Sequence, residues 1–264
     1  MAMLLKDKIT LVTGAGRGLG QAVAIAYARQ GAQVIAVART QSELDRTAEL
    51  IHAEGGRVLT MSLDISHEEA VRYMAERTWQ EFGRLDVLVN NAGRLPLKAF
   101  AEMTVADWDR TLAVNLRGPF LACKFFLESM KANGRGSIIN VSSNAGVKGF
   151  ALETDYCASK FGLEGFSQAL ALELQPDNIA VNILNLAKLD SPLRIKPTSV
   201  TQTQYDSLSD AERAQWHNPM LLTEAFIFLA LQDGRGITGE RIYAYELSEQ
   251  IRREGWDFKY EPSL

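Results

Sequence analysis

Residues 9–30 read ITLVTGAGRGLGQAVAIAYARQ. The run at 9–13 is apolar almost without interruption, as in a strand covered on both faces, and such strands belong to parallel sheets. A glycine-rich turn follows, and then a segment with helical patterning. Gly14, Gly18 and Gly20 give the spacing TGxxxGxG. Glycines between a strand and a helix permit positive φ and let backbone come close to a pyrophosphate, for which the helix N-terminus supplies free N–H groups and a favourable dipole. A P-loop is excluded because no Gly-Lys-Ser/Thr follows.

The same alternation continues along the chain. VIAVA (34–38), VLTMSL (58–63), DVLVN (86–90), SIINVS (137–142) and AVNIL (180–184) read as further buried strands, with GERIYAY (239–245) as the last. Helical patterns lie between them at about 18–30, 41–54, 67–82, 105–132 and 155–175. A helix after each strand implies right-handed crossovers and a doubly wound, Rossmann-like parallel α/β sheet. The expected organisation is one domain over 1–264. Within it, 188–218 is a polar substrate loop, long for a connection, with a short helix around 209–216. The tail, 246–264, carries Trp256, Phe258 and Tyr260, which cover either a neighbouring subunit or the parent domain.

Composition narrows the function. A net charge of −4 and the lack of a basic run argue against nucleic acid. No apolar stretch reaches membrane length, and MAMLLKDK has too little apolar sequence for a secretory signal. Cys123 and Cys157 read as small thiols in a reducing cytoplasm. His52, His67 and His217 show no ligand spacing, so no metal is expected.

The chemistry is concentrated in DYCASK. Tyr156 and Lys160, at i and i+4, share one helix face, and Ser143 stands thirteen positions before the tyrosine at a strand end. A phenol titrates near ~10, and an adjacent ammonium favours phenolate. A serine hydroxyl on the same substrate oxygen completes a group suited to proton transfer at a carbonyl or alcohol. Ser142 is the rival to Ser143.

TGAGRGLG, NNAG (90–93), IINVSS and YxxxK occur here in the order seen in short-chain dehydrogenases/reductases, and the chain resembles that family from about residue 6 to 244. The resemblance implies that Tyr156 is acid in reduction and base in oxidation. Lys160 bonds the nicotinamide ribose and lowers the phenol's proton affinity. Ser143 holds the substrate oxygen, and Asn115 lies in the helix region that continues the proton path. It places Gly14, Gly18, Leu19 and Gly20 at the cofactor, with Asp64 and Ile65 near the adenine and Asn91, Ala92 and Gly93 on the adenosine side. Strand two ends in Ala38 and Arg39 where NAD sites place an acid, and Arg17 sits in the glycine turn. Two arginines with no competing acid point to the 2′-phosphate of NADP. Asp64 could equally cap the helix opening at SHEEA.

Two positions depart from the family pattern. Leu186 and Ala187 replace its Pro-Gly, although Ser191 stands where a hydroxyl often meets the carboxamide. Tyr245, Glu246 and Leu247 replace its Asp-Gly-Gly. The expected activity is an NADP-dependent carbonyl reductase or alcohol dehydrogenase on a small substrate, assembled as a homodimer or homotetramer. Leu95, Asn144–Val147 and the 188–218 loop are expected to line the substrate. The alternatives are a 3-oxoacyl-thioester reductase, with Lys124, Lys131 and Arg135 receiving an acidic carrier, and a nucleotide-binding regulator without turnover.

Overall fold

The structure, a computed structural model, describes residues 3–186, 194–195, 207–213, 216–256 and 258–260. The strands in chain order are β1 (Ile9–Thr13), β2 (Gln33–Ala38), β3 (Arg57–Ser62), β4 (Val87–Asn90), β5 (Gly136–Ser142), β6 (Ile179–Asn185), β7 (Arg194–Ile195), β8 (Trp216–His217) and β9 (Arg241–Tyr243). Seven of them form one parallel sheet in the order β3-β2-β1-β4-β5-β6-β9, while β7 and β8 pair separately. This is the expected doubly wound arrangement. The chain runs outward from β1 through β2 to β3, then returns to lay β4 on the other side of β1. The strand order therefore reverses between β1 and β4, and a cleft opens at their carboxyl ends.

The helices are α1 (Gly18–Arg29), α2 (Gln41–Ala53), α3 (Glu68–Phe82), α4 (Val105–Leu112), α5 (Gly118–Ala132), α6 (Thr154–Leu174), α7 (Asp210–Arg213), α8 (Thr223–Ala230) and α9 (Ala244–Glu254). Successive strand residues point to opposite sheet faces, so Val12 joins one apolar cluster and Leu11 the other. Val12 packs with Leu19, Tyr27, Phe226 and Ile251, and Leu11 with Val71, Met74, Leu121 and Phe126. The helical run expected over 105–132 is continuous but changes pitch. Thr104 and Asp107 form a capping box at its start, and Ala113–Arg117 is a π-helical turn between α4 and α5. Such turns are frequent at functional sites.

The C-terminal quarter differs from the sequence reading. Helix α8 was not expected, because its residues are apolar all round and show no amphipathic period. Ala225–Ala230 are all buried against the sheet and its flanking helices. The strand expected over 239–245 is confined to three residues, and Ala244 already begins α9. Leu247, Ser248 and Ile251 of that helix are buried, so the expected tail starts as a core helix. The aromatics beyond it cover the parent domain: Phe258 and Tyr260 lie 5.1 and 6.3 Å from the Phe228 ring. Of the expected 188–218 loop, the described pieces are β7, α7, β8 and their immediate neighbours. The short helix of 209–216 is α7, held by reciprocal bonds between Ser209 and Glu212. Ala187 and Ser191 lie outside the described residues.

Phe226 is fully buried, and its carbonyl accepts from the buried Tyr27 hydroxyl at 2.9 Å. Phe226→Ala should cost about 3–5 kcal/mol through lost burial and a residual cavity, measurable as a lower urea midpoint with the slope unchanged.

Candidate active site

The cleft is built first from backbone. Thr13, at the end of β1, accepts at Oγ1 from the amides of Asn91 and Ala92, both at 3.0 Å. Its hydroxyl donates to the Val89 carbonyl at 3.2 Å. Asn91 Nδ2 returns a bond to the Thr13 carbonyl at 2.8 Å. These contacts join the ends of β1 and β4 where the sheet parts. Gly14 has φ +69°, and a Cβ on Gly20 would stand 2.2 Å from the Gly14 carbonyl oxygen. Only glycine allows the first turn of α1 to lie this close. Arg17, at the N-cap, makes no side-chain cap to that turn, so its N–H groups remain available to an anion.

Along the carboxyl ends of the strands runs a cavity of about 1030 Å³. Of the expected residues its wall takes Gly14, Arg17, Leu19, Gly20, Arg39, Asp64, Ile65, Asn91, Ala92, Gly93, Tyr156 and Lys160, together with Leu95 and Leu186. Gly18, Asn115 and Ser143 are not part of that wall, whereas the rival Ser142 is. From β2, which Arg39 follows, to β5, which ends in Ser142, is three strand spacings, or roughly 14 Å. An elongated ligand with anionic groups and two separated ends fits such a trough. The uncapped α1 turn and the glycine cradle fit a dinucleotide's diphosphate, with Arg39 at one end and Tyr156 and Lys160 at the other.

At the β5 end, Tyr156 and Lys160 project from the first turns of α6. The Ser143 hydroxyl accepts from the Ala145 amide at 3.2 Å and acts on the Tyr156 phenol, which it pulls down. Ser142 separates from its rival here, because its hydroxyl donates to the buried Glu164 carboxylate at 2.6 Å. Lys160 Nζ donates to the Val141 carbonyl at 2.8 Å and stands 5.6 Å from the Tyr156 ring centre. Burial pushes the phenol up to about 12, against Ser143, which pulls it down. Burial also takes the Lys160 ammonium down to about 8, while Glu164 pulls it up. The expected lowering of the phenol by the ammonium is not among the causes that act on Tyr156: burial raises it, Glu153 and Cys157 add to that, and Ser143 is what pulls it down. Asn115 lies in the π turn. It clasps Arg94 through both amide atoms, each at 2.9 Å, and donates to Ser159 at 3.1 Å. It thereby ties the loop after β4 to α6.

The β2 end carries a correction. An acid does compete there: Glu43, in the first turn of α2, lines the cavity and pairs with Arg17 at 3.2 Å. Its carboxylate lies over Gly16, where a Cβ would sit 2.9 Å from Glu43 Oε2. An acidic residue four positions after Arg39, just inside a helix, was the available signal. Arg39 is 4.0 Å from Asp64 and largely exposed. Asp64 itself accepts from the Ser66 amide and hydroxyl at 2.9 and 2.7 Å. It shapes the turn before α3 and faces the cavity, but it does not cap that helix, whose N-cap is His67 with no side-chain cap bond. Thr47, which donates to the Ala15 carbonyl at 2.9 Å, is a further support that the sequence reading did not single out.

A strand–glycine turn–helix at the point of strand reversal, with Tyr156 and Lys160 at the far end, meets a family model described as short chain dehydrogenase over residues 8–200. The chain belongs to the short-chain dehydrogenase family. Among its relatives is the 3-oxoacyl-[acyl-carrier-protein] reductase of Thermotoga maritima, 33% identical over 91% of this chain and 97% of the relative. The D-threitol dehydrogenase of Mycolicibacterium smegmatis is 38% identical over 69% of this chain and 70% of the relative. A metagenomic short-chain oxidoreductase solved in complex with NADP superposes with a TM-score of 0.77. It is 30% identical, covering 91% of this chain and 97% of that one. This short-chain dehydrogenase is accordingly an oxidoreductase acting on alcohol or carbonyl groups, with a Rossmann-like nucleotide-binding fold. No helix among the described residues is long and apolar enough to cross a membrane.

The buried lysine has a stability consequence. Its folded value near 8 lies below the ordinary 10.5. Below about pH 8 both folded and unfolded states hold the proton, and the native state bears the full cost of burying the charge. That cost fades as pH rises from about 8 to 10.5. Lys160→Met should stabilise the ligand-free protein at pH 7 by roughly 1–2 kcal/mol, after the Val141 carbonyl loses its donor. Denaturant midpoints should show the advantage at pH 7 and a smaller one at pH 10.

Proposed function

We propose that this short-chain dehydrogenase is an NADP(H)-dependent enzyme interconverting a carbonyl and an alcohol on a small organic substrate. The observation that carries the reading is the Tyr156 phenol beside the buried Lys160 ammonium, 5.6 Å from ring centre to Nζ, at one end of a cavity whose other end holds Arg17 and Arg39. A bound nicotinamide cofactor supplies the redox chemistry. Tyr156 gives its phenolic proton to the substrate oxygen in reduction and takes it back in oxidation. Ser143 holds that oxygen and orients the phenol. Lys160 stabilises the phenolate and bonds the cofactor ribose, and Asn115 keeps α6 and the loop after β4 in register around it. Arg17 and Arg39 pair the 2′-phosphate. The remaining expected cofactor contacts, Gly14, Gly18, Leu19, Gly20, Asp64, Ile65, Asn91, Ala92 and Gly93, line or support the trough.

Family membership and the presence of Ser143, Tyr156 and Lys160 argue against a regulator without turnover, whose support is the replacement of Pro-Gly by Leu186 and Ala187. A 3-oxoacyl-thioester substrate is the second reading, favoured by the relationship to the Thermotoga maritima reductase. Against it, Lys131 and Arg135 are engaged with Asp177 and Asp233 at 2.8 and 3.6 Å. Both charges are partly neutralised before any acidic carrier arrives.

Assembly is proposed through α5 and α6. These helices send Phe126 and Leu163 into the core yet leave Phe120 and Phe161 half exposed and Leu172 76% exposed. Apolar side chains on two neighbouring helices favour a second copy over water. The protein is therefore proposed to be a cytoplasmic homodimer or homotetramer. Light scattering at micromolar concentration should give at least twice the chain mass, and Phe120→Glu with Phe161→Glu should lower it; a wild-type monomer would refute the proposal.

Tyr156→Phe should reduce carbonyl turnover by at least about a hundredfold, since the transferable proton is lost. NADPH affinity should change by less than about twofold, the cofactor contacts being untouched. Variant activity above a few per cent of wild type would remove the tyrosine from the mechanism.

NADPH should bind about tenfold more tightly than NADH, equivalent to about 1.4 kcal/mol. Because Glu43 holds Arg17 and repels a phosphate, Glu43→Gln should tighten NADPH further by about threefold to tenfold and leave NADH nearly unchanged. Arg39→Asp should flatten or invert the preference. Calorimetric titration of each nucleotide checks all three, and equal affinities for the wild type would assign the site to both cofactors.

A further inference from the structure

We infer that Glu164 and Arg241 form a positioning pair, which holds the Ser143 peptide from behind and keeps a negative charge one helical turn from Lys160. This rests on the proposed roles of Ser143, Tyr156 and Lys160. Glu164 follows Lys160 by four residues and Tyr156 by eight, so the three share one face of α6. Its side chain is 6% exposed, and that of Arg241 18%. One carboxylate oxygen, Oε1, accepts from Ser142 Oγ at 2.6 Å and from Arg241 Nε at 3.1 Å. The same guanidinium donates through Nη2 to the Ser143 carbonyl at 2.9 Å, and lies 5.1 Å from the Tyr243 ring centre. Gly146 makes the approach possible, for a Cβ there would stand 2.8 Å from Glu164 Cγ, Glu164 Oε1 and Ser142 Oγ. The end of β5, the turn at 144–146, α6 and β9 thus all meet at one carboxylate.

A buried ion pair is a poor device for stability, since an apolar pair of similar volume often does as well or better. What this one achieves is geometric. The planar fork of arginine bonds an acid and a carbonyl at once, and the carbonyl belongs to the serine whose hydroxyl aims the phenol. The Ser142 hydroxyl is taken up by the same carboxylate. The electrostatic part acts on Lys160. On its own helix the ammonium faces Tyr156 and Glu164, and from β9 it faces Arg241 across Glu164. From β5 it meets the Val141 carbonyl. Glu153 and Cys157 act on the Tyr156 side. Within this set Glu164 is the group that raises the ammonium against burial.

The test reads both parts. Protein labelled with ¹³C at lysine Cε, with the Lys160 signal assigned through Lys160→Met, is titrated as wild type and as Glu164→Gln. The Lys160 midpoint should fall by about one unit in the variant. Steady-state rates are measured with NADPH and any ketone that the wild type reduces. Arg241→Met should lower kcat at least about tenfold with KM little changed, and Arg241→Lys should recover only part, because an ammonium cannot reproduce the fork. Where a single variant does not fold by circular dichroism, Glu164→Leu with Arg241→Met leaves no orphan charge and takes its place. That double variant should show both the lowered midpoint and the lowered kcat. An unchanged Lys160 midpoint, or a wild-type kcat in a folded variant, overturns the inference. Absence of turnover in the wild type itself would count against the proposed function, while the Lys160 titration still decides for or against the pair.

Discussion

A parallel sheet that reverses its strand order must hold two adjacent strands together while their connections depart in opposite directions, and here that seam lies between β1 and β4. Thr13 and Asn91 close it. One hydroxyl takes two successive amides from the chain leaving β4, and the Asn91 amide returns a bond to the chain leaving β1. Everything at the cavity follows from that junction. The glycine turn can leave β1 only along the path the seam permits, and α1 can begin only where the Gly14 carbonyl excludes a side chain at position 20. The floor under a bound diphosphate is therefore backbone, whose N–H groups carry no charge of their own to bury.

The reacting end is built on the opposite principle. Charged and polar side chains are concentrated there, away from water, and bond one another, although Glu164 Oε2 is buried without a hydrogen-bond partner. Lys160 bonds a strand carbonyl, Glu164 gathers Ser142 and Arg241, and Asp155 accepts from Thr111 at 2.5 Å to join α6 to α4. Burial drives both the phenol and the ammonium toward their neutral forms, so this end is costly without a polar ligand. That is the usual sign of a site kept for chemistry. The nucleotide end, by contrast, is open, and its two arginines are paired with Glu43 and Asp64 on the surface. An anion entering there exchanges ion pairs and does not meet bare charge.

Much of this was legible in the residues. Near-continuous apolar runs marked six of the seven main-sheet strands closely, because strands buried on both faces have no polar side to blur the pattern. The TGxxxGxG spacing, NNAG and the i, i+4 pairing of Tyr156 and Lys160 are local features, and local geometry places them. What escaped has a common cause. Helix α8 is buried all round and so has no period to read. Helix α9 begins where β9 ends with no breaker between them. Glu43 looked like an ordinary first-turn acid until α2 brought it over Gly16.

The sequence by itself determined the alternation of strands and helices, the positions of the glycine turn and the phenol–ammonium pair, and membership of a family that oxidises alcohols or reduces carbonyls. These depend on short spacings along one chain. The tertiary structure alone decided that the Ser142 hydroxyl goes to Glu164, and that Glu43 competes for Arg17. It also decided that Glu164 and Arg241, 77 residues apart, meet beside the Ser143 carbonyl. Those contacts join separate elements across the sheet, and burial then sets their strength, so nothing in the linear pattern carries them.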